Sequence, residues 1–473
     1  MKPKKITTNN TKANIIIYSI MKRLFLLCFL SINLAVYGQS QIGMNIDGDA
    51  DNDFSGFSVS MPDASTVAIG AISNDGNGVE SGQTRIYEWV GSAWQQKGAD
   101  IYGEVSEDES GRSVSMPDPN TVAIGARLND DNGFRAGHVR IYNWDGSYWV
   151  QKGGDIDGMP YEDSGWSVDM PDSNTVAIGA PLADSLDDQS SSTGIVRIYI
   201  WDGSSWVQKG VDIVGESSFD GSGYSVSMPD SNIVAIGARG DDDNGDEAGH
   251  VRIYEWNGNA WIQKGMDIDG EAAGDFSGRA VNMPDSNTVA IGTQRNDGNE
   301  DNAGHVRIYE WDGSAWTQKG QDIDGKYEGD GAGFSVSMAN SNMVAVGAPT
   351  YNQLGDVLDE VRIYTWNGND WVQLGTDIYG DTANINFGHA VSMPDINTVA
   401  IGAIGANLAA GYVQVYNLSS LNIDNNKIRN SVDIYPNPTS GKINIQMDDI
   451  QTDELEIKLS NISGQVVLRQ TKD

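Results

Sequence analysis

The 473-residue sequence contains one cysteine, Cys28, and only four histidines. A single thiol excludes a disulfide scaffold. No His-Glu-x-x-His or Gly-x-Ser-x-Gly segment points to a metalloprotease or a serine hydrolase. Basic side chains are scarce, 30 Lys and Arg against 66 Asp and Glu, for a net charge of −36. Phosphate contacts need clustered cations, so nucleic acid is excluded as a partner. Glycine is abundant instead, at 56 residues, with 13 Trp and 18 Tyr. That is the usage of short strands joined by tight turns.

The one long apolar run, 24–30, follows Met21-Lys22-Arg23 and closes on Val36-Tyr37-Gly38. This is the pattern of a signal peptide cleaved before Gln39, and it is too short and wrongly flanked for a membrane span. Residues 1–38 are thus expected to be an upstream extension and signal peptide, with Met21 as the start. They hold six basic and no acidic residues, so the mature chain carries −36 − 6 = −42, has no cysteine and has no transmembrane segment.

Internal repeats decide the fold. Val-Ser-Met-Pro-Asp and its variants place Met at 61, 116, 170, 228, 283, 338 and 393, a period of 54 to 58 residues. Each unit reads as four strands, here called a to d. In one unit they are 279–283, 288–292, 305–311 and 315–323, with Asp312-Gly313 as a two-residue type I′ hairpin turn between c and d. Seven four-stranded units predict an all-β, seven-bladed β-propeller over 39–417. The seventh unit lacks strand d, whereas 41–48 at the other end matches 263–270, so the N-terminal strand is expected to close the ring.

Twelve Trp form six pairs five residues apart, from 89/94 to 366/371, on one face of each c–d hairpin. An aromatic row invites a carbohydrate-binding reading, but recurrence in six blades favours packing between blades. The same reasoning makes the repeated strand-c arginines (Arg85, Arg140, Arg197, Arg252, Arg307, Arg362) structural, along with His138, His250 and His305. Trp166 and His389 stand outside the repeat pattern.

Two resemblances follow from these residues. Phe387-Gly388-His389-Ala390-Val391 with Val399-Ala400-Ile401-Gly402-Ala403, and Gly-Ala-Pro at 179–181 and 347–349, resemble the FG-GAP repeat of integrin α-chain propellers. Most blades have Ser-Gly or Ala-Gly in place of Phe-Gly, and the calcium loop of that family is replaced by a short turn such as Pro171-Asp172-Ser173-Asn174. In the tail, Ile434-Tyr435-Pro436-Asn437-Pro438-Thr439-Ser440-Gly441 with 443–445 and 457–467 resembles the C-terminal sorting domain of Bacteroidetes type IX secretion. This implies a partial β-sandwich sorting domain over 433–473 behind a polar linker, 418–432. It makes the secretion machinery a partner and the protein secreted or held at the cell surface.

For function, the variable b–c and d–a loops share one face of a propeller, and most of the acidic excess falls there. Loops on a rigid scaffold are the usual place for recognition. Asp49, Asp51 and Asp53, and Asp241 and Asp243, offer alternating oxygen ligands of the kind Ca²⁺ takes, without the full EF-hand loop. The expectation is a non-enzymatic binding or adhesion propeller presenting an acidic loop face to a protein or glycan ligand. The alternatives are a polysaccharide hydrolase or lyase, and a structural surface component. No catalytic residue stands out.

Overall fold

The computed structural model describes residues 38–183, 192–349, 359–419 and 421, and the backbone of four strands between 432 and 472. The expected signal peptide lies outside the described residues, as does nearly all of the expected linker. One compact unit, Gly38–Asn422, is a seven-bladed β-propeller. In the other unit, Val432–Tyr435 pairs with Asn444–Met447 and Leu455–Ser460 with Val466–Lys472, all antiparallel. No helix among the described residues is long and apolar enough to cross a membrane.

Blade 5 shows the repeat: strand a Ala280–Asp285, b Thr288–Thr293, c His305–Trp311, and d in two pieces, Trp316–Gln318 and Ile323–Asp324. Blades 1 to 4 begin strand a at Ser55, Ser110, Ser167 and Ser225, and blades 6 and 7 at Ser335 and Phe387. Every strand b is fully buried. In blade 5, Val289 and Ile291 pack toward blade 4 and Ala290 toward blade 6. Burial on both faces is why strand b is apolar without alternation.

The ring closes as the repeat boundaries predict. Ser40–Gln41 and Ile46–Asp47 complete blade 7, with Gln41 opposite Tyr416 and Ile46 opposite Val413. Strands a line the axis, each against the next, with blade 1 against blade 7. A second closed circuit explains the Met-Pro-Asp signature. At each such site the a–b register shifts by a bulge, and the Met amide donates across to the preceding blade. Met116 bonds Ser60 Oγ (3.0 Å), Met228 bonds Asp169 Oδ2 (2.7 Å), Met338 bonds Asn282 Oδ1 (2.7 Å), and Met61 closes the circle on Ser392 Oγ (3.0 Å). The Asp after Pro then caps the turn, as Asp285 Oδ1 accepts from the Asn287 amide at 2.9 Å.

Two details correct the expected hairpin. Trp144 pairs directly with Trp149, so the c–d loop has four residues instead of two. Asp145 Oδ1 accepts from the amides of Ser147 and Tyr148, both at 2.8 Å, and of Asp145 and Gly146 only Gly146 has a positive φ, which a type I′ turn would need at both. Strand d is also broken, at the Lys-Gly step. Gly320 takes φ +79°, and a Cβ there would lie 2.6 Å from the Trp366 ring of the next blade.

The Trp pairs are packing devices between blades. Trp316 Nε1 donates to Lys264 O of blade 4 (2.7 Å), and Lys264 Nζ lies 5.3 and 5.4 Å from the Trp311 and Trp316 ring centroids. All six second Trp make the same bond backward, Trp94 to Ile42 O at 2.9 Å across the closure. The strand-c arginines reach the preceding blade too. Arg197 forms a two-pronged pair with Glu162 at 2.6 and 2.8 Å, while Arg307 donates to Asp269 O at 2.6 Å.

Candidate functional site

A Gly-X pair stands within the first residues of strand a or immediately before it in every blade. The glycine has φ between +84° and +90°. At Gly165 a Cβ would lie 2.5 Å from His138 O, so the position accepts no side chain. X projects toward the axis from all seven blades, on the face of the b–c and d–a loops. Its identity never settles: Phe57, Arg112, Trp166, Tyr224, Arg279, Phe334, His389.

These seven side chains touch in an unbroken circle. The Arg112 guanidinium lies 4.7 Å from the Phe57 ring and 4.1 Å from the Trp166 ring. Trp166 and Tyr224 have centroids 5.2 Å apart. Arg279 donates from Nη1 to Tyr224 Oη and lies 3.8 Å from the Phe334 centroid. Phe334 meets His389 at 4.9 Å, and His389 meets Phe57 at 4.6 Å. Further guanidiniums stand beside the circle: Arg127 against Trp166 (4.8 Å), Arg239 against Tyr224 (4.2 Å) and Arg295 against Phe276 (4.6 Å).

The middle of this strongly acidic chain is therefore cationic. Arg127 is held by Glu109 at 2.6 Å, with Asp163 at 3.4 Å. Arg112, Arg239, Arg279 and Arg295 have no carboxylate within 4.0 Å among the described residues. Burial draws Arg112 down to about 10, which leaves it charged at neutral pH. Burial pushes the Tyr224 phenol up, but Arg279, Arg239 and Arg112 outweigh it and hold it below its ordinary value. Burial, with Arg279 and Arg112, takes His389 down to about 3, so the ring is neutral and Nδ1 donates to Phe57 O at 3.1 Å. A cavity of about 210 Å³ is lined by all seven residues of the circle. One of about 550 Å³ beside it is lined by Tyr224, Arg239, Arg279, Arg295 and Phe334, together with the carboxylates of Asp301 and Glu328.

Nothing local in the sequence marks this constellation, because its arginines are few and far apart in the chain. Its signal was present, however: X varies between neighbours that repeat, and Trp166 and His389, the two residues left outside the repeat pattern, both belong to it.

The carboxylates singled out in the sequence lie elsewhere. Asp49 pairs with Arg85 (2.6 Å) and accepts from Gln83 (3.1 Å). Asp53 is buried and accepts from the Ala50 amide and Asn74 Nδ2, both at 2.9 Å. Asp108, Asp220 and Asp275 hold loop amides at the same repeat position. Asp241 is buried, accepts from the Asp243 amide at 3.1 Å and stands 3.2 Å from His250 Nδ1. Asp49, Asp51 and Asp243 are exposed.

Residues 433–473 match the secretion system C-terminal sorting domain. This propeller is exported by type IX secretion. The tail assigns it to the cell surface or the medium and makes the secretion machinery a partner. No curated protein sequence matches the chain. Among solved structures, it is similar to a candidate 6-phosphogluconolactonase from Bacteroides uniformis at 11% identity and TM-score 0.50, covering 75% of this chain and 92% of that one. It is also similar to the WD40 β-propeller domain of Doa1 at 12% identity and TM-score 0.48, covering 80% and 97%. At such identities the likeness concerns the fold alone.

Proposed function

We propose that this exported, FG-GAP-like propeller is a binding protein whose ligand is an acidic glycan, held at the centre of the loop face by the Arg–aromatic circle. Delivery falls to the signal peptide ahead of Gln39 and then to the sorting tail. One observation carries the ligand class: four guanidiniums without carboxylate partners among the described residues stand against aromatic faces in a concave site. Sugar C–H faces stack on such rings, and a uronate carboxylate suits a guanidinium fork. The acidic loops then form a rim rather than the binding surface. Like charge there disfavours a polyanion lying flat across the face and favours entry by one chain end.

The test is calorimetric titration with oligogalacturonate and with a neutral oligosaccharide of equal length. Binding of the acidic chain alone is expected, weakened at least tenfold by Arg279→Met, which keeps the bulk and removes the charge. Equal binding of both sugars, or none of either, overturns the assignment. Tyr224, with its phenol held low beside Arg279, favours a second reading, a lyase that removes the proton next to a uronate carboxylate. Release of unsaturated product from polygalacturonate, lost in Tyr224→Phe, would distinguish it.

A further inference from the structure

At three blade interfaces a Glu of one blade's d–a loop meets a His and an Asp of the next. The sets are Glu104, His138, Asp155; Glu216, His250, Asp267; and Glu271, His305, Asp322. In each, one imidazole nitrogen and two carboxylate oxygens lie within 4.8 Å of one another. The three imidazoles are fully buried, and neither ring nitrogen of His138 or His305 has a hydrogen-bond partner. A buried imidazole left unpaired on both nitrogens costs free energy that a bound ligand would recover. His250 differs in having Asp241 at 3.2 Å as a further oxygen donor.

The spacing suits a shared ion better than direct bonds. His305 Nδ1 lies 3.9 Å from Glu271 Oε2 and 3.8 Å from Asp322 Oδ2, and His138 Nδ1 lies 3.8 Å from Glu104 Oε2. These are too long for hydrogen bonds. They approach the roughly 3.3 Å between two ligands that each sit about 2.0 Å from a tetrahedral ion. Gln318 Nε2 donates to Asp322 Oδ1 at 2.5 Å and so turns Oδ2 toward the histidine.

The fourth interface supplies an internal comparison. Lys326, Glu360 and Asp377 occupy the three positions between blades 5 and 6, and Lys326 Nζ lies 2.6 Å from Asp377 and 3.8 Å from Glu360. There a lysine replaces the loop glutamate and a glutamate replaces the histidine, whereas in the three histidine sets the glutamate faces the strand-c arginine, at 3.3 to 3.7 Å. Between blades 2 and 3 the positions are Met159, Ile195 and Asp212, so the loop acid and the histidine are both absent and Asp212 pairs with Arg197 at 3.2 Å instead.

We propose that the three Glu-His-Asp sets each bind a first-row divalent transition ion, with Zn²⁺ as the reference, and staple neighbouring blades together. One imidazole nitrogen with two carboxylate oxygens is a donor set for such ions, with a fourth position left for water. The partly exposed glutamates leave an entry path.

The test is titration of the chelator-treated full chain with ZnCl₂, read by calorimetry and by metal analysis after gel filtration. Three ions per chain are expected, one fewer in His138→Asn and one fewer in His305→Asn, with tryptophan emission confirming that each variant is folded. The double variant Lys326→Glu/Glu360→His is expected to add a fourth ion, a gain that misfolding cannot mimic. Fewer than two histidine-dependent ions, or a stoichiometry unmoved by all three variants, overturns the proposal. Ca²⁺ titrated in parallel distinguishes the acidic loops, whose binding would ignore the histidines.

Discussion

Ile46 and Ile268 occupy the same repeat position, one in the N-terminal strand and the other in the middle of the array. Both are 5% exposed. Ile46 packs with Met61, Val67, Ile69 and Val413. Ile268 packs with Val251, Ile253, Val281 and Met283. Truncating a buried Ile to Ala costs about 2–5 kcal/mol, the transfer of the lost methylenes plus the cavity left behind. The environments match, so Ile46→Ala and Ile268→Ala are expected to cost the same to within about 1 kcal/mol. That is a sizeable part of a total of about 5–15 kcal/mol. Urea unfolding followed by tryptophan emission measures both, since the Trp94 indole bonds to Ile42 O across the closure. A full cost at Ile268 with less than about 0.5 kcal/mol at Ile46 would refute ring closure, because a frayed end has nothing to lose.

Three further outcomes follow from the packing. Ser392→Ala strands the Met61 amide at the closing step of the axial circuit, and a buried unpaired donor costs about 1–3 kcal/mol, visible as a lower midpoint with unchanged m. Gly98→Ala places a Cβ 2.6 Å from the Trp144 ring at φ +81°, whereas Gly91→Ala at φ +86° meets nothing within 4 Å. The second variant isolates the backbone cost of about 1–2 kcal/mol, and the first is expected to exceed it in thermal unfolding. His389 has a folded pKa near 3, below its unfolded value, so its stability contribution is present above pH 6.5 and fades as pH falls toward 3. Melting curves of His389→Phe, which keeps the stacking, are expected to flatten over that window, and an unchanged pH profile would sink the assignment.

The blade count, the closure and the packing role of the Trp pairs were legible because repetition separates scaffold from exception. The Ser-Met-Pro-Asp run was legible as a boundary but not as a bond. Nothing local shows that the Met61 amide leaves its sheet for Ser392, a partner 331 residues away. The c–d turn was misread because Asp-Gly favours two hairpin geometries, and the Asp145 side chain decides between them through amides two and three residues on. The acidic loops drew attention by charge density, although Asp49, Asp53 and Asp241 are committed to protein donors. The Arg–aromatic circle needed the fold, since its members meet only when seven strand starts converge on one axis.

The most direct test of that circle is a crystal structure of the propeller soaked with galacturonic acid oligomer. The account predicts a carboxylate against Arg279 or Arg112, with a sugar face on Trp166 or Tyr224, at the axis. Density at the acidic rim alone, or a bare axis at saturating ligand, would contradict it.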